Sequence, residues 1–161
     1  YKLMWLEDLV PPENMDAQKE VTKATRTPVA TGENRFRVFE LSELVYEHGV
    51  DVITPDPTTV GGLAETMRVA DRAEENYMPM SPHNVCSPVG TVACVHLGAA
   101  TPNFDLLEYH ALEVDWWDDL LAREEPLIQD GHIEVPEEPG LGIELDESVV
   151  EEHLLDGTTG F

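Results

Sequence analysis

The chain has 161 residues, enough for one domain with a sizeable core, and its 42% hydrophobic and 26% charged residues exclude a disordered or fibrous class. Its charge is unusual: 33 Asp and Glu against 9 Lys and Arg give a formal net charge of -24, which repels nucleic acid and anionic membrane surfaces and excludes both as partners. The acids are spread among apolar residues rather than gathered in a tail, a pattern that suits high salt, where screening mutes self-repulsion.

Taken in chain order, residues 3–7 read as a short buried strand, and Pro11 and Pro12 open a helix running to about residue 26. Residues 28–33 form the next strand. A helix over 36–48 follows, with Phe36, Phe39 and Leu44 on its apolar stripe and Gly49 as its stop. A third strand covers 50–54, and Gly61 and Gly62 start a helix over about 63–76. Residues 78–81 are a poorer fourth strand. The segment 88–100 is apolar on nearly every face, which predicts a buried helix, and 104–108 is a fifth strand. From about residue 124 the pattern changes. A turn at 129–132, a Pro- and Gly-rich loop over 136–142 and a short acidic helix near 147–155 read as an extension packed outside the main body.

Strand and helix alternate over residues 1–123, which argues for a parallel sheet of βα units. Barrel closure needs about eight strands, and an open sheet of five leaves two unpaired edges. The expected fold is therefore α/β, the C-terminal portion of a TIM-like barrel. The chain opens inside a strand-like run, so further residues are expected upstream, and the chain alone is expected to be inactive. Cys86 and Cys94 lack metal-ligand spacing and read as small buried hydrophobes. No signal peptide or membrane span is visible, and a cytoplasmic location is expected.

An ionisable residue closes each strand: Glu7, Glu33, Asp56, His83 and Glu108, spaced 26, 23, 27 and 25 residues apart. Each interval is about one βα repeat, and parallel strands bring their C-terminal ends to one face, where barrel active sites lie. One acid at a strand end is ordinarily a helix N-cap; five in phase point to a common site. Two carboxylates on adjacent strands, Glu7 and Glu33, suit a hard divalent cation such as Mg²⁺. A carboxylate beside an imidazole, Asp56 with His83, fixes the tautomer and raises the basicity of a general base. A carboxyl group in a crowded apolar site, Glu108, can stay protonated and donate to a developing oxyanion.

These strand ends carry recognisable motifs. Trp-Leu-Glu-Asp at 5–8, Thr-Gly-Glu-Asn at 31–34, Pro-Asp-Pro at 55–57 with Gly61 and Gly62, Ser-Pro-His-Asn at 81–84 and Leu-Glu-Tyr at 107–109 resemble the successive motifs of the mandelate racemase group of the enolase superfamily. The segment 131–136, with Pro-Gly-Leu-Gly at 139–142, is similar to that group's closing segment. Within the group, the run from 81 to 104 most resembles acid-sugar dehydratases of the galactonate and gluconate type. The resemblance implies Mg²⁺ as cofactor, a sugar-acid substrate and a homo-oligomer. Glu7 and Glu33 then correspond to metal ligands, Asp56 and His83 to an Asp–His dyad, and Glu108 to the acid that hydrogen-bonds an enediolate. The group's first metal ligand, its second acid/base residue and its capping domain have no counterpart in this sequence. The implied reaction is dehydration of a sugar acid to a 2-keto-3-deoxy acid. Racemisation or epimerisation of an α-hydroxy acid shares the enediolate and is the alternative within enzymes; a non-catalytic scaffold fragment is the alternative outside them.

Asn84 and His110 adjoin these positions and are candidate substrate-binding residues; Asn34 is weighed evenly against a turn role. His48 suits a helix C-cap, His96 a core position, and His132 and His153 the surface. Gly61 and Gly62 suit a tight turn, with an anion cradle as the sharper reading. Trp116 and Trp117 read as an anchor for the tail.

Overall fold

The computed structural model describes residues 1–110 and 114–158. Strands β1 (Leu6–Glu7), β2 (Val29–Thr31) and β3 (Val52–Ile53) form a parallel sheet in sequence order, pairing Leu6 with Val29, Glu7 with Ala30, Ala30 with Val52 and Thr31 with Ile53. Single parallel bridges, Ile53 with Met80 and Met80 with Phe104, carry the sheet on through two more segments. Main-chain bonds continue this line to its C-terminal end: the His83 N–H donates to the Pro55 carbonyl (3.2 Å), and those of Glu108 and His110 to Pro82 (3.4 Å) and Asn84 (3.3 Å). Five parallel segments, each beside its neighbour in sequence, make an arc of barrel wall.

The ladders are shorter than the sequence suggests. Segments read as strands of four to six residues pair over two or three, or at a single bridge, and the expected buried strand over 3–7 is corrected, since Leu3 and Met4 are exposed and only Leu6 and Glu7 pair.

Helices cover the outer face of this wall. Helix α1 (Met15–Ala24) starts where the Asn14 side chain accepts the Ala17 N–H (3.0 Å), two residues past the expected prolines. It docks through Gln18, whose amide donates to the Gly49 carbonyl (3.0 Å). Helix α2 (Arg37–Tyr46) buries Val38, Leu41, Leu44 and Val45. The expected stripe is corrected here: Phe36 is 56% and Phe39 77% exposed, so of the three named residues Leu44 alone faces the core. The left-handed residue after α2 is His48 (φ 50°) rather than Gly49, so the histidine takes the conformation that a stop glycine usually supplies.

A one-turn helix α3 (Pro57–Val60), not anticipated from periodicity, is capped by Asp56 and ends on Gly61. Gly61 (φ 121°) and Gly62 (φ 92°) turn the chain into α4 (Leu63–Glu75). The main core lies between α2, α4 and the sheet, around Leu41, Leu44, Ile53, Val69, Met80 and Leu97. Each such side chain contributes about 1.5–3 kcal/mol by leaving water.

Helix α5 (Pro88–Ala100) is buried on two sides, which accounts for its lack of a polar face: Leu97 joins the main core and Val92 a second one. Gly98 is required by close approach, since a Cβ there would stand 2.7 Å from the Phe104 ring. The second core adds Leu121 and Leu127, with Ile133, Leu141, Ile143 and Leu145 against them. The tail is held by an antiparallel bridge from Leu121 to Leu145 and by His96, whose Nε2 meets the Leu141 carbonyl at 3.0 Å. A 3-10 turn (Asp118–Leu120) precedes that bridge, and helix α6 (Glu147–Glu152) follows it. The Trp116 ring stacks on His153 with centroids 4.0 Å apart, which makes Trp116 the anchor expected of it.

Candidate active site at the strand ends

The wall brings the strand-end residues to one rim. His83 is its centre. Its Nδ1 lies 2.8 Å from Asp56 Oδ2, and its Nε2 lies 3.2 Å from Glu33 Oε2. Ligating atoms of Glu33, His83 and Glu108 fall within 4.8 Å of one another. Glu7 stands on the neighbouring strand, where Trp5 Nε1 donates to its Oε2 (3.1 Å).

The electrostatics follow from this crowding. Burial pushes the Glu7 carboxyl above its ordinary value; the Trp5 hydrogen bond opposes the rise, and the charges of Glu108 and Asp8 add to it. Burial likewise raises Glu33, against His83 and with Asp8, Glu7 and Glu108. Burial also works against ionised Asp56, but hydrogen bonds from His83 and Thr58 outweigh it and hold that carboxyl below its usual range. The Asp56 hydrogen bond raises His83, burial opposes, and the charges of Glu33 and Glu108 add to the rise. A ring with a carboxylate at each nitrogen favours the form in which both nitrogens donate.

Asp56 does two jobs. Its Oδ1 accepts the Thr58 N–H (2.7 Å) and hydroxyl (2.6 Å), which caps α3, while its Oδ2 faces His83. One carboxylate therefore both caps α3 and holds the His83 ring.

Asn84 and His110 are placed differently. Asn84 is 1% exposed, and its amide is engaged with the Thr91 hydroxyl of α5 (3.1 Å) and the Cys86 N–H (3.4 Å). That side chain joins the loop to α5 rather than the rim. His110 is exposed at the end of the fifth segment.

Two residues of the rim, Asp8 and Thr58, went unsingled in the sequence, and Asn34, weighed there against a turn role, joins them. Asp8, at φ 47°, accepts from the Thr31 hydroxyl and from Asn34 Nδ2 (2.9 Å). Asn34 Nδ2 also donates to Glu33 Oε1 (3.1 Å), so it bridges two carboxylates. Thr58 was signalled by Asp-Pro-Thr at 56–58, since Asp followed by Pro is a helix-start signature.

Parallel βα units with acids and a histidine at consecutive strand ends define part of a TIM-type barrel with its site at the C-terminal face. Residues 1–149 match the family model described as Enolase C-terminal domain-like, and the chain belongs to that family. It is 50% identical over 161 residues to the D-xylonate dehydratase of Haloferax volcanii, covering 100% of this chain and 39% of that protein. It is 35% identical over 149 residues to a D-galactonate dehydratase family member of Streptomyces bingchenggensis, covering 91% of this chain and 36% of the relative. Among solved structures, a mandelate racemase/muconate lactonizing enzyme-like protein of Rubrobacter xylanophilus superposes with a TM-score of 0.94 at 48% identity, covering 100% of this chain and 41% of that one. The chain thus spans about two fifths of the length of these proteins.

Proposed function

We propose that this chain carries the acid–base groups and part of the metal-ligand set of a Mg²⁺-dependent sugar-acid dehydratase, which removes water from a sugar acid through an enediolate to give a 2-keto-3-deoxy acid. The observation that carries the reading is His83 held by Asp56 on one nitrogen (2.8 Å) and presenting the other to the rim carboxylates Glu33 and Glu108. The names of the relatives support a five- or six-carbon aldonic acid as substrate, with D-xylonate first.

The rim suits a hard cation. Glu7, exposed, and Glu33, half-buried, are all-oxygen donors and are raised in part by neighbouring negative charge, which a divalent cation would neutralise. Glu33, His83 and Glu108 form the tighter group, but its imidazole nitrogen suits a softer metal and is already committed to Asp56 through the same ring. Glu7 and Glu33 are therefore assigned to Mg²⁺. Bound there, the ion would supply positive charge opposite the substrate carboxylate. His83 exchanges the reaction proton at Nε2, while Asp56 fixes the ring through Nδ1. Glu108, grouped with Glu33 and His83 at the rim, is assigned to the enediolate oxygen. The α proton leaves one carbon and the hydroxyl leaves the next, so one water is lost and the enol relaxes to the 2-keto acid.

In the same reading, residues 1–123 are the barrel units and 124–161 an extension on the outside, and the -24 charge is a surface adapted to high salt. The test is product analysis. The polypeptide carrying this chain, given Mg²⁺ and D-xylonate, D-galactonate or D-gluconate, is expected to release a keto acid lighter by one water. Retained mass with inverted configuration would overturn dehydration in favour of racemisation.

A further inference from the structure

The Asp56 carboxylate is nearly sealed, at 5% exposed, and its two oxygens are divided between two jobs. Oδ2 serves the His83 ring; Oδ1 takes both donors of Thr58, the backbone N–H at 2.7 Å and the hydroxyl at 2.6 Å. A carboxylate held by one oxygen alone can rotate about its Cβ–Cγ bond and offer either oxygen to the ring. Two donors on Oδ1 close that freedom and leave Oδ2 to the imidazole, 2.8 Å from Nδ1.

The hydroxyl of Thr58 has a second contact. Cys86 Sγ lies 3.9 Å from Thr58 Oγ1, a weak donor to that oxygen, and Cys86 belongs to the loop that follows His83. With its proton given to Asp56, the Thr58 oxygen is free to accept from that loop. Thr58 thus sits between the carboxylate and the segment that carries the imidazole. The Thr58 residue itself is exposed, so replacing its side chain does not open the core.

We propose that the Thr58 hydroxyl is a positioning residue for the Asp56–His83 pair: by occupying Asp56 Oδ1 it fixes Oδ2 on His83 Nδ1 and so keeps the proton-exchanging nitrogen, Nε2, facing the rim. This rests on the dehydratase reading for its kinetic consequence and on geometry alone for its structural one.

The experiment compares Thr58→Val, which keeps the shape and the backbone N–H but removes the hydroxyl, with Thr58→Ser, which restores the hydroxyl. Both are made in the polypeptide that carries this chain. Two readouts are taken: steady-state kinetics with D-xylonate and Mg²⁺, and the ¹⁵N spectrum of the His83 ring, in which an Nδ1–H bonded to a carboxylate has its own signature. Thr58→Val is expected to lower kcat about tenfold, the scale of one hydrogen bond to a charged group, with KM within about twofold. It should also broaden or shift the Nδ1–H signal. Thr58→Ser is expected to restore both. An unchanged ring signal in Thr58→Val overturns the inference, as does a change in that variant that Thr58→Ser reproduces rather than rescues. If the unmodified protein turns over none of the sugar acids, the dehydratase reading fails by itself, and the ring signal still decides the role of Thr58.

Discussion

The strand-end rim and the tail are both rich in acids, yet two carboxylates of the rim, Glu7 and Glu33, shift in the opposite direction to Asp146 of the tail. At the rim, Glu7 and Glu33 stand beside other carboxylates and are pushed up. In the tail, Asp146 caps α6, accepts the hydroxyl and N–H of Ser148 and the N–H of Val149, and is held below its ordinary value. Acidity by itself therefore says nothing about role. A carboxylate with donors around it, as Asp146 and Asp56 both have, is held ionised and in place, whereas one with like charges around it costs stability and is poised to receive a cation or a proton.

The largest expected effect lies at the rim. Glu33→Gln or Glu7→Gln should weaken Mg²⁺ binding by at least about tenfold in titration calorimetry, while Asp146→Asn should leave it unchanged. Equal affinities in all three would erase the distinction.

The next effect belongs to the whole surface. With a charge of -24, the melting temperature should fall steadily as salt is lowered from molar to millimolar. A flat series would mean that the acids are already compensated by their local contacts.

Cysteine labelling sharpens the comparison between the rim and the helix that joins it to the tail. Burial pushes the Cys94 thiol up to about 12, whereas Cys86, also raised by burial, is only partly covered. At about pH 8 an alkylating reagent should modify Cys86 first, and Cys94 only after unfolding. Simultaneous labelling would show that α5 opens readily.

The smallest effect is in the tail. The depressed Asp146 carboxyl contributes stability that is fully present above its ordinary value of 3.8 and is lost as pH falls through its lower folded value. Amide exchange in α6 should therefore rise only in strong acid, and Asp146→Ala should remove that dependence.

Much of this contrast was legible before the structure. The phase of Glu7, Glu33, Asp56, His83 and Glu108 follows from chain repeat alone, because parallel strands convert a repeat in sequence into a ring in space. What escaped was set by local hydrogen bonding. The stripe of Phe36 and Phe39 competes on α2 with that of Val38, Leu41 and Val45, and both run at helical spacing, so periodicity does not choose which one faces the sheet. Asn84 lies beside His83 in sequence, but successive strand residues point to opposite sides, and its amide turns to Thr91 instead. Thr58 carries no periodic signal, because α3 is a single turn, and the Asp-Pro helix start at 56 and 57 was its one mark in the sequence. Its capping geometry became visible only with Asp56 in place.

The central claim is that the rim carries the chemistry and the tail does not. It is tested most directly by kcat for two single substitutions measured side by side with D-xylonate and Mg²⁺. His83→Asn is expected to lower turnover by roughly 10²–10⁴, the cost of losing a general acid–base group, while Asp146→Asn stays within about twofold of the unmodified protein. Near-normal turnover in His83→Asn, or an equal loss in both, would contradict it.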